Sequence, residues 1–285
     1  MAVSEDWQID YAGLTVGGAS DFGLVAVTGM LDLPSVRKSD NVLLRRHGKQ
    51  AGGDFLGERT ITLELDIYGA STAAMQSRVD EFAAAFTTGD EQALTFQLPG
   101  AAGGGVGRVM ARVRKRKVQQ GLNLVNGLTR ATVQLVATDP RIYTDLQQSA
   151  VTGLPVTSGG VTFNATFNAT FGTTGTSGSI LTPNSGSFSA PVSLKIVGPV
   201  TDPSVENLST GEILSFTGTI SAGTYYIVNT ADRTVLLNGT ASRYSELDAA
   251  STWLQLRPGV NDLQFRADAF HADASLTATW RSAFI

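Results

Sequence analysis

The sequence predicts a mainly β protein: a β-rich α+β domain with one helix in the N-terminal half, followed by a β-sandwich. Three observations carry this. Apolar and polar residues alternate with a period of two in several runs, most strictly in Arg59–Tyr68. Ser71 to Phe86 is the only segment with apolar residues at helical spacing. From residue 190 onward, short strand-like runs are separated by turn dipeptides, with almost no helical pattern.

The elements follow in order. Gly13–Gly18 and Leu24–Gly29 read as short strands bounded by Gly turns. Val36 to Arg46 carries Arg37, Lys38, Arg45 and Arg46, and His47–Gly57 reads as an exposed loop. In the Arg59–Tyr68 strand, Ile61, Leu63, Leu65 and Ile67 point inward. Ser71 or Thr72 caps the helix. Ala74, Met75, Val79, Phe82, Ala83 and Phe86 form its apolar face, and Gly89 is placed for a C-cap. Ala93–Pro99, Arg108–Val118 and Ala131–Ala137 are further strands. Beyond residue 190 the strand runs are Val192–Val197, Ile213–Ile220, Thr224–Asn229, Thr234–Leu237, Trp253–Leu256, Asp262–Arg266 and Leu276–Trp280.

Charge divides the chain. No acidic residue occurs between Glu91 and Asp139, and no charged residue of either sign between Asp145 and Lys195. With Pro140 at the junction, this places three regions: residues 1–143, a β-rich domain with its helix near 71–86; residues 144–189, an extended uncharged strap; and residues 190–285, the sandwich. Inside the strap, Thr162-Phe163-Asn164-Ala165, Thr166-Phe167-Asn168-Ala169 and Thr170-Phe171-Gly172 repeat every four residues. On an extended chain Phe163, Phe167 and Phe171 share one face, so they are candidates for docking the strap on a neighbouring surface.

Composition excludes much chemistry. The 285 residues are 42% hydrophobic and 16% charged, below the roughly 25% charged of an average globular chain. The chain has no Cys and two His, His47 and His271, which leaves no thiolate metal site and little for His-dependent catalysis. No apolar run approaches the ~20 residues of a membrane helix, so membrane insertion is not expected. The first residues lack the basic and apolar regions of a secretory signal.

Candidate sites are few. Gly103-Gly104-Gly105-Val106-Gly107 lacks the Lys-Ser/Thr pair of a phosphate loop and opens no helix, so it reads as a loop. The basic run Arg112 to Lys117 is the strongest charge feature. Strict alternation puts Arg112, Arg114 and Arg116 on one face, with Lys115 and Lys117 on the other. Such a stripe suits a subunit contact, a polar channel lining, a solvated edge that blocks sheet addition, or contact with DNA phosphate. A net charge of −4 argues against a dedicated DNA binder. The Asn164 and Asn168 sequons lack a secretory context, Asp262, Asp268 and Asp273 are too scattered for a calcium loop, and His271 sits in a surface loop. No catalytic, cofactor or metal site emerges, and no enzyme activity is expected. Trp253, Tyr225 and Tyr226 are the aromatic candidates for sugar binding by the sandwich, though their alternation reads more simply as core.

Two segments carry a family resemblance. One is Ala137-Thr138-Asp139-Pro140-Arg141-Ile142-Tyr143 with the Thr-Phe repeat after it. The other runs from Gly198-Pro199-Val200-Thr201-Asp202-Pro203 through Asn207, Thr210-Gly211, Ala222-Gly223, Asn229-Thr230, Arg233-Thr234-Val235 and Asn238-Gly239 to Leu256-Arg257-Pro258-Gly259-Val260-Asn261. This ordered set resembles the distal tail (Dit) proteins, or minor tail proteins, of long flexible-tailed, siphovirus-type bacteriophages, in particular those of actinobacteria. The resemblance implies an N-terminal ring-forming domain and a peripheral C-terminal sandwich that is galectin-like in fold. It implies a structural virion protein at the tail tip, assembled in the host cytoplasm, where a Cys-free chain fits. The expected assembly is a hexameric ring between the tail tube protein and the tail-tip hub and receptor-binding proteins. The tape-measure protein and the transiting DNA would pass through its lumen. On this reading Arg112, Arg114 and Arg116 face a subunit contact or the lumen. The alternative is a carbohydrate-binding sandwich contributing to host-surface adhesion.

Overall fold

The computed structural model describes residues 3–43, 45–156 and 177–285. The chain forms two compact units, Met1–Asp145 with Phe284–Ile285, and Leu146–Ala283.

In the first unit the Arg59–Tyr68 strand lies deep in an antiparallel sheet, and Ile61, Leu63, Leu65 and Ile67 are fully buried on one face. The sheet order is Leu14–Gly17, Gln8–Tyr11, Gln92–Gln97, Gly107–Val118, Leu128–Ala137, Arg59–Tyr68, Phe22–Thr28. The strands at its two ends are neighbours in sequence, and the Trp7 indole donates to the Leu24 carbonyl at 2.9 Å, so the sheet curls back toward itself. The helix Thr72–Ala85 starts where Ser71 Oγ accepts from the Ala74 amide at 3.2 Å. Met75, Phe82 and Phe86 are buried against the sheet, with the Phe86 ring 5.2 Å from Tyr11 and parallel to it. Three such side chains contribute about 1.5–3 kcal/mol each by burial. The helix ends at a Phe86 cap whose amide donates to Phe82, and Gly89 does not serve as the C-cap. Its last turn is closed by other means described below.

Arg59 is the largest fully buried side chain among the described residues. Its Nη1 donates to the carbonyls of Gly29 (2.7 Å), Met30 (2.9 Å) and Asp32 (2.9 Å), and its Nε donates to the Pro140 carbonyl at 2.8 Å. Gly29 fits there with φ +88°, where an added Cβ would strike the Thr60 carbonyl. Burial lowers the Arg59 pKa from its ordinary value, and the field of Asp32 opposes that shift. Residues 33–58 lie between these anchors and form an arm. Val36–Arg37 pairs with Phe55–Leu56, and Asn41–Val42 pairs with Lys49–Gln50. The segment expected to be an exposed loop is therefore exposed but carries short strands.

The second unit holds two main antiparallel sheets and a short ladder of Val200–Thr201 with Thr219–Ile220. One has the order Gln148–Gly153, Ser275–Trp280, Val192–Val197, Tyr225–Asn229, Thr234–Leu237, Ala241–Ser242. The other runs Ser179–Asn184, Gly259–Arg266, Ser204–Asn207, Glu212–Ser215. Leu194, Ile196, Val228 and Leu276 of the first and Val205, Leu214, Leu263 and Phe265 of the second are fully buried. Buried Asn side chains hold the connections. Asn261 donates to the carbonyls of Thr182, Arg257 and Gly259 and accepts from the Arg257 amide and Asn207. Asn184 donates to Phe188 and Leu256 and accepts from the amides of Gly186 and Ala283. Such amides satisfy backbone groups that no ladder reaches.

Two expectations change here. The flanks of the strap, Gln148–Gly153 and Ser179–Asn184, are edge strands of the two sheets; Pro183 is tolerated because its strand is an edge. Trp253–Leu256 is not a strand: it is a loop with Leu254 and Leu256 buried, tied by the isolated Ala190–Leu256 bridge and by hydrogen bonds of Thr252 with Ile213 and of Gln255 with Glu212.

Replacing Arg59 with Met keeps the volume but leaves four carbonyls without their donor. The expected loss is at least about 3 kcal/mol in urea unfolding of the full chain. A loss under about 1 kcal/mol would show that other donors reach those carbonyls.

Candidate assembly interface

The basic strand Gly107–Val118 changes partners along its length. Gly107 to Ala111 pair with Gln92–Gln97 on one side, while Arg112 to Val118 pair with Leu128–Ala137 on the other. The Gln92–Gln97 strand goes no further than Ala111, so among the described residues the far edge of Arg112–Val118 has no strand partner. Cations on an open edge oppose unplanned sheet addition.

A β-bulge between Val113 and Lys115 sorts these cations, and it corrects the expected faces. Directly opposed residues of an antiparallel pair share a face. Val113 opposes Leu135, Arg116 opposes Val133 and Val118 opposes Ala131, and all three partners are buried on the core side. Arg112, Lys115 and Lys117 oppose Val136, Gln134 and Thr132, so these three share the outer face. Arg114 takes the bulge and is exposed. Thus Arg112, Arg114 and Arg116 do not form one stripe. Arg116 turns to the end of the helix, where its Nη1 donates to the Ala83 carbonyl and to the Phe86 carbonyl at 3.1 Å. A cation there satisfies carbonyls left open by the last turn and complements the helix dipole. This replaces the glycine cap that the sequence suggested.

The outer face carries opposite charge two strands away. Lys117 opposes Thr132, which in turn opposes Glu64, and Arg130 holds Asp66 through two hydrogen bonds of 2.9 and 3.3 Å. Beyond the hairpin, Leu122 is 84% exposed, and Val125 and Leu128 are exposed as well.

The arm is the other exposed feature. Leu33, Val42 and Phe55 are 65%, 67% and 63% exposed, and no described residue from Ser35 to Phe55 is buried. Its own hydrogen bonds are few: the Gly57 amide to Ser35 O, Ser39 Oγ to Gly53 O, and the Gly52 amide to Asp40. Two-residue ladders with exposed apolar side chains have little stability of their own.

The remaining candidates are placed as follows. Phe163, Phe167 and Phe171 lie outside the described residues. The Gly-rich run is a 3₁₀ turn, Ala102–Gly104, leading into the basic strand. His271 is exposed and accepts from the Asp273 amide. Among the described residues, no group of three or more His, Asp or Glu is arranged to hold a metal. Tyr226 is core, with its hydroxyl donating to Glu246, and Tyr225 is half-buried under Lys195, whose Nζ is 4.2 Å from the ring centre. Trp253 is half-buried rather than core.

Two regions of the chain match protein families. Residues 185–284 match the siphovirus-type tail component, C-terminal domain, and residues 40–101 match the phage tail protein RIFT-related domain. The chain thus carries two regions similar to domains of siphovirus-type phage tail proteins. The crystal structure of the Dit protein of phage SPP1, a paradigm of the hub adsorption apparatus in phages infecting Gram-positive bacteria, superposes with a TM-score of 0.67. The two are 14% identical over 98% of this chain and 99% of that one, a likeness of fold. Two structures of the phage P2 baseplate in its activated conformation, with Ca and with Sr, give TM-scores of 0.47 and 0.49. Both are 11% identical, covering 92% and 98% of this chain and 91% and 98% of theirs. No curated protein sequence matches the chain.

Two outcomes test this geometry. Arg116→Gln is expected to lower stability by about 1 kcal/mol while leaving the molecule's association state unchanged, as read by thermal unfolding and light scattering. Burial, reinforced by the Glu246 hydrogen bond, pushes the Tyr226 pKa up to about 12. Its folded value lies above the unfolded value near 10, so its contribution is whole below pH 10 and is lost as pH rises through about 12. Tyr226→Phe is therefore expected to lose less Tm than the parent between pH 9.5 and 11.5. An equal loss in both would remove Tyr226 from the alkaline transition.

Proposed function

We propose that this chain is the distal tail protein of its phage, a non-catalytic hub that closes into a hexameric ring between the tail tube and the tail tip. The arm carries the reading. It exposes Leu33, Val42 and Phe55 on a segment with too few internal contacts to fold alone, yet Arg59 pins both its ends to the body. A strap of this kind gains its stability by lying on a neighbouring copy, and the same contact repeated head to tail closes a ring. The matched tail domains and the Dit-like fold support the same assignment.

In such a ring, Arg112, Lys115 and Lys117, with Arg114 beside them, form the basic surface facing a neighbouring copy or the lumen through which the tape-measure protein and DNA pass. The tail tube protein, the tail-tip hub and the receptor-binding proteins are its partners. Its place is the virion tail tip, after assembly in the host cytoplasm. An actinobacterial host rests on the sequence resemblance alone. Phe163, Phe167 and Phe171 remain strap-docking candidates of this proposal.

Native mass spectrometry and negative-stain imaging test it directly. The full chain is expected to form a closed ring of six copies. Replacing residues 35–56 with a short Gly-Ser linker is expected to give monomers whose main unfolding transition is kept. A parent chain that stays monomeric at high micromolar concentration sinks the ring, and a ring that survives loss of the arm sinks the role given to it.

A further inference from the structure

The sandwich unit carries an aromatic pair that the tail-hub role does not use. Tyr244 and Trp253 sit 6.2 Å apart, ring centre to ring centre, with planes 25° from parallel. Tyr244 is 53% exposed and Trp253 half-buried, so ring face is left open to solvent. Both residues are held from behind. Tyr244 opens the 3₁₀ turn Tyr244–Glu246, and that turn is fixed where Glu246 accepts from the buried Tyr226 and its carbonyl from the Thr217 amide. Trp253 follows Thr252, whose amide donates to the Ile213 carbonyl at 2.7 Å and whose hydroxyl accepts from the Ile213 amide at 2.9 Å. Beside the rings lies the Arg243–Glu246 ion pair, 3.2 Å between Nε and Oε1, with half of each side chain or less exposed.

We propose that this patch binds a pyranose unit of a glycan. The chemistry argues for a sugar over a protein. A protein-sized contact needs a broad apolar area, yet between the exposed Leu208 and Val260 the described chain exposes one large apolar or aromatic side chain, Tyr244. Two stacked rings next in the chain to the Arg243 guanidinium and the Glu246 carboxylate match the mixed surface of one sugar, whose C–H face stacks on an aromatic ring while its hydroxyls pair with charged groups. Because the rings are fixed by hydrogen bonds to the edge strand and the core tyrosine, little ordering accompanies binding. The inference goes beyond the hub assignment and holds whether or not a ring forms.

Saturation-transfer NMR on the full chain tests it, with methyl glycosides of galactose, glucose, rhamnose and N-acetylglucosamine as probes. Intrinsic Trp fluorescence is the second readout. At least one glycoside is expected to receive saturation transfer and to shift the emission. Trp253→Ala and Tyr244→Ala are each expected to weaken that glycoside by about tenfold or more, with Tm confirming the fold, whereas Tyr244→Phe, which keeps the ring, stays within about threefold. Absence of transfer to all four glycosides overturns the proposal. So does a glycoside whose affinity survives both alanine variants.

Discussion

The first unit is organised around one buried guanidinium. Arg59 stands at the start of the deepest strand, yet it spends its hydrogen bonds on backbone carbonyls at 29, 30, 32 and 140. A guanidinium suits this because its donors are fixed in a planar fork and it stays charged even when burial disfavours the charge. The result joins three things: the entry to the arm, the exit from it, and the segment that follows the Leu128–Ala137 strand. A Lys could not do the same, since a point charge on a flexible stem holds no four carbonyls in register. The arm is free to be irregular and exposed because its root is not.

The second constraint is topological. The basic strand is paired with Gln92–Gln97 only as far as Ala111 and with Leu128–Ala137 only from Arg112, and this leaves one edge of Arg112–Val118, a stretch rich in cations, open among the described residues. Their charge guards the edge against stray strands while their length lets one of them reach the helix. What this unit presents to its surroundings is an edge, an arm and a charged face, and residues 40–101 match a phage tail domain.

Much of the fold was legible because it depends on local pattern. Ile61, Leu63, Leu65 and Ile67 announce their strand by alternation, and Ser71, Met75, Phe82 and Phe86 announce the helix by spacing and cap. What stayed hidden depends on distant backbone. Nothing around Arg59 tells that its partners include a carbonyl at Pro140, 81 residues away. A bulge leaves no mark in Arg114 to Lys117, because the long cationic side chains there suit either face. Trp253 shows the opposite failure: Leu254 and Leu256 alternate as a strand does, but a loop buries them, and the Trp is left half in solvent. The Tyr244–Trp253 contact joins residues nine apart, a separation that no strand or helix period marks.

The bulge at Arg114 behaves as a phase shifter. Upstream of it odd-numbered positions face the core; downstream even-numbered ones do. Were the bulge ironed out with Arg114 paired in turn, every later residue would move one partner along, swinging the cation now at the helix end out to solvent and turning Lys115 and Lys117 inward against Val133 and Ala131; deleting Arg114 would instead leave each later residue opposite its present partner. The extra residue, accommodated as a bulge, therefore decides which of these cations face outward, with no change in composition. The bulge thus works as a register clutch: one backbone irregularity sets whether the strand shows lysines or an arginine on its outer side.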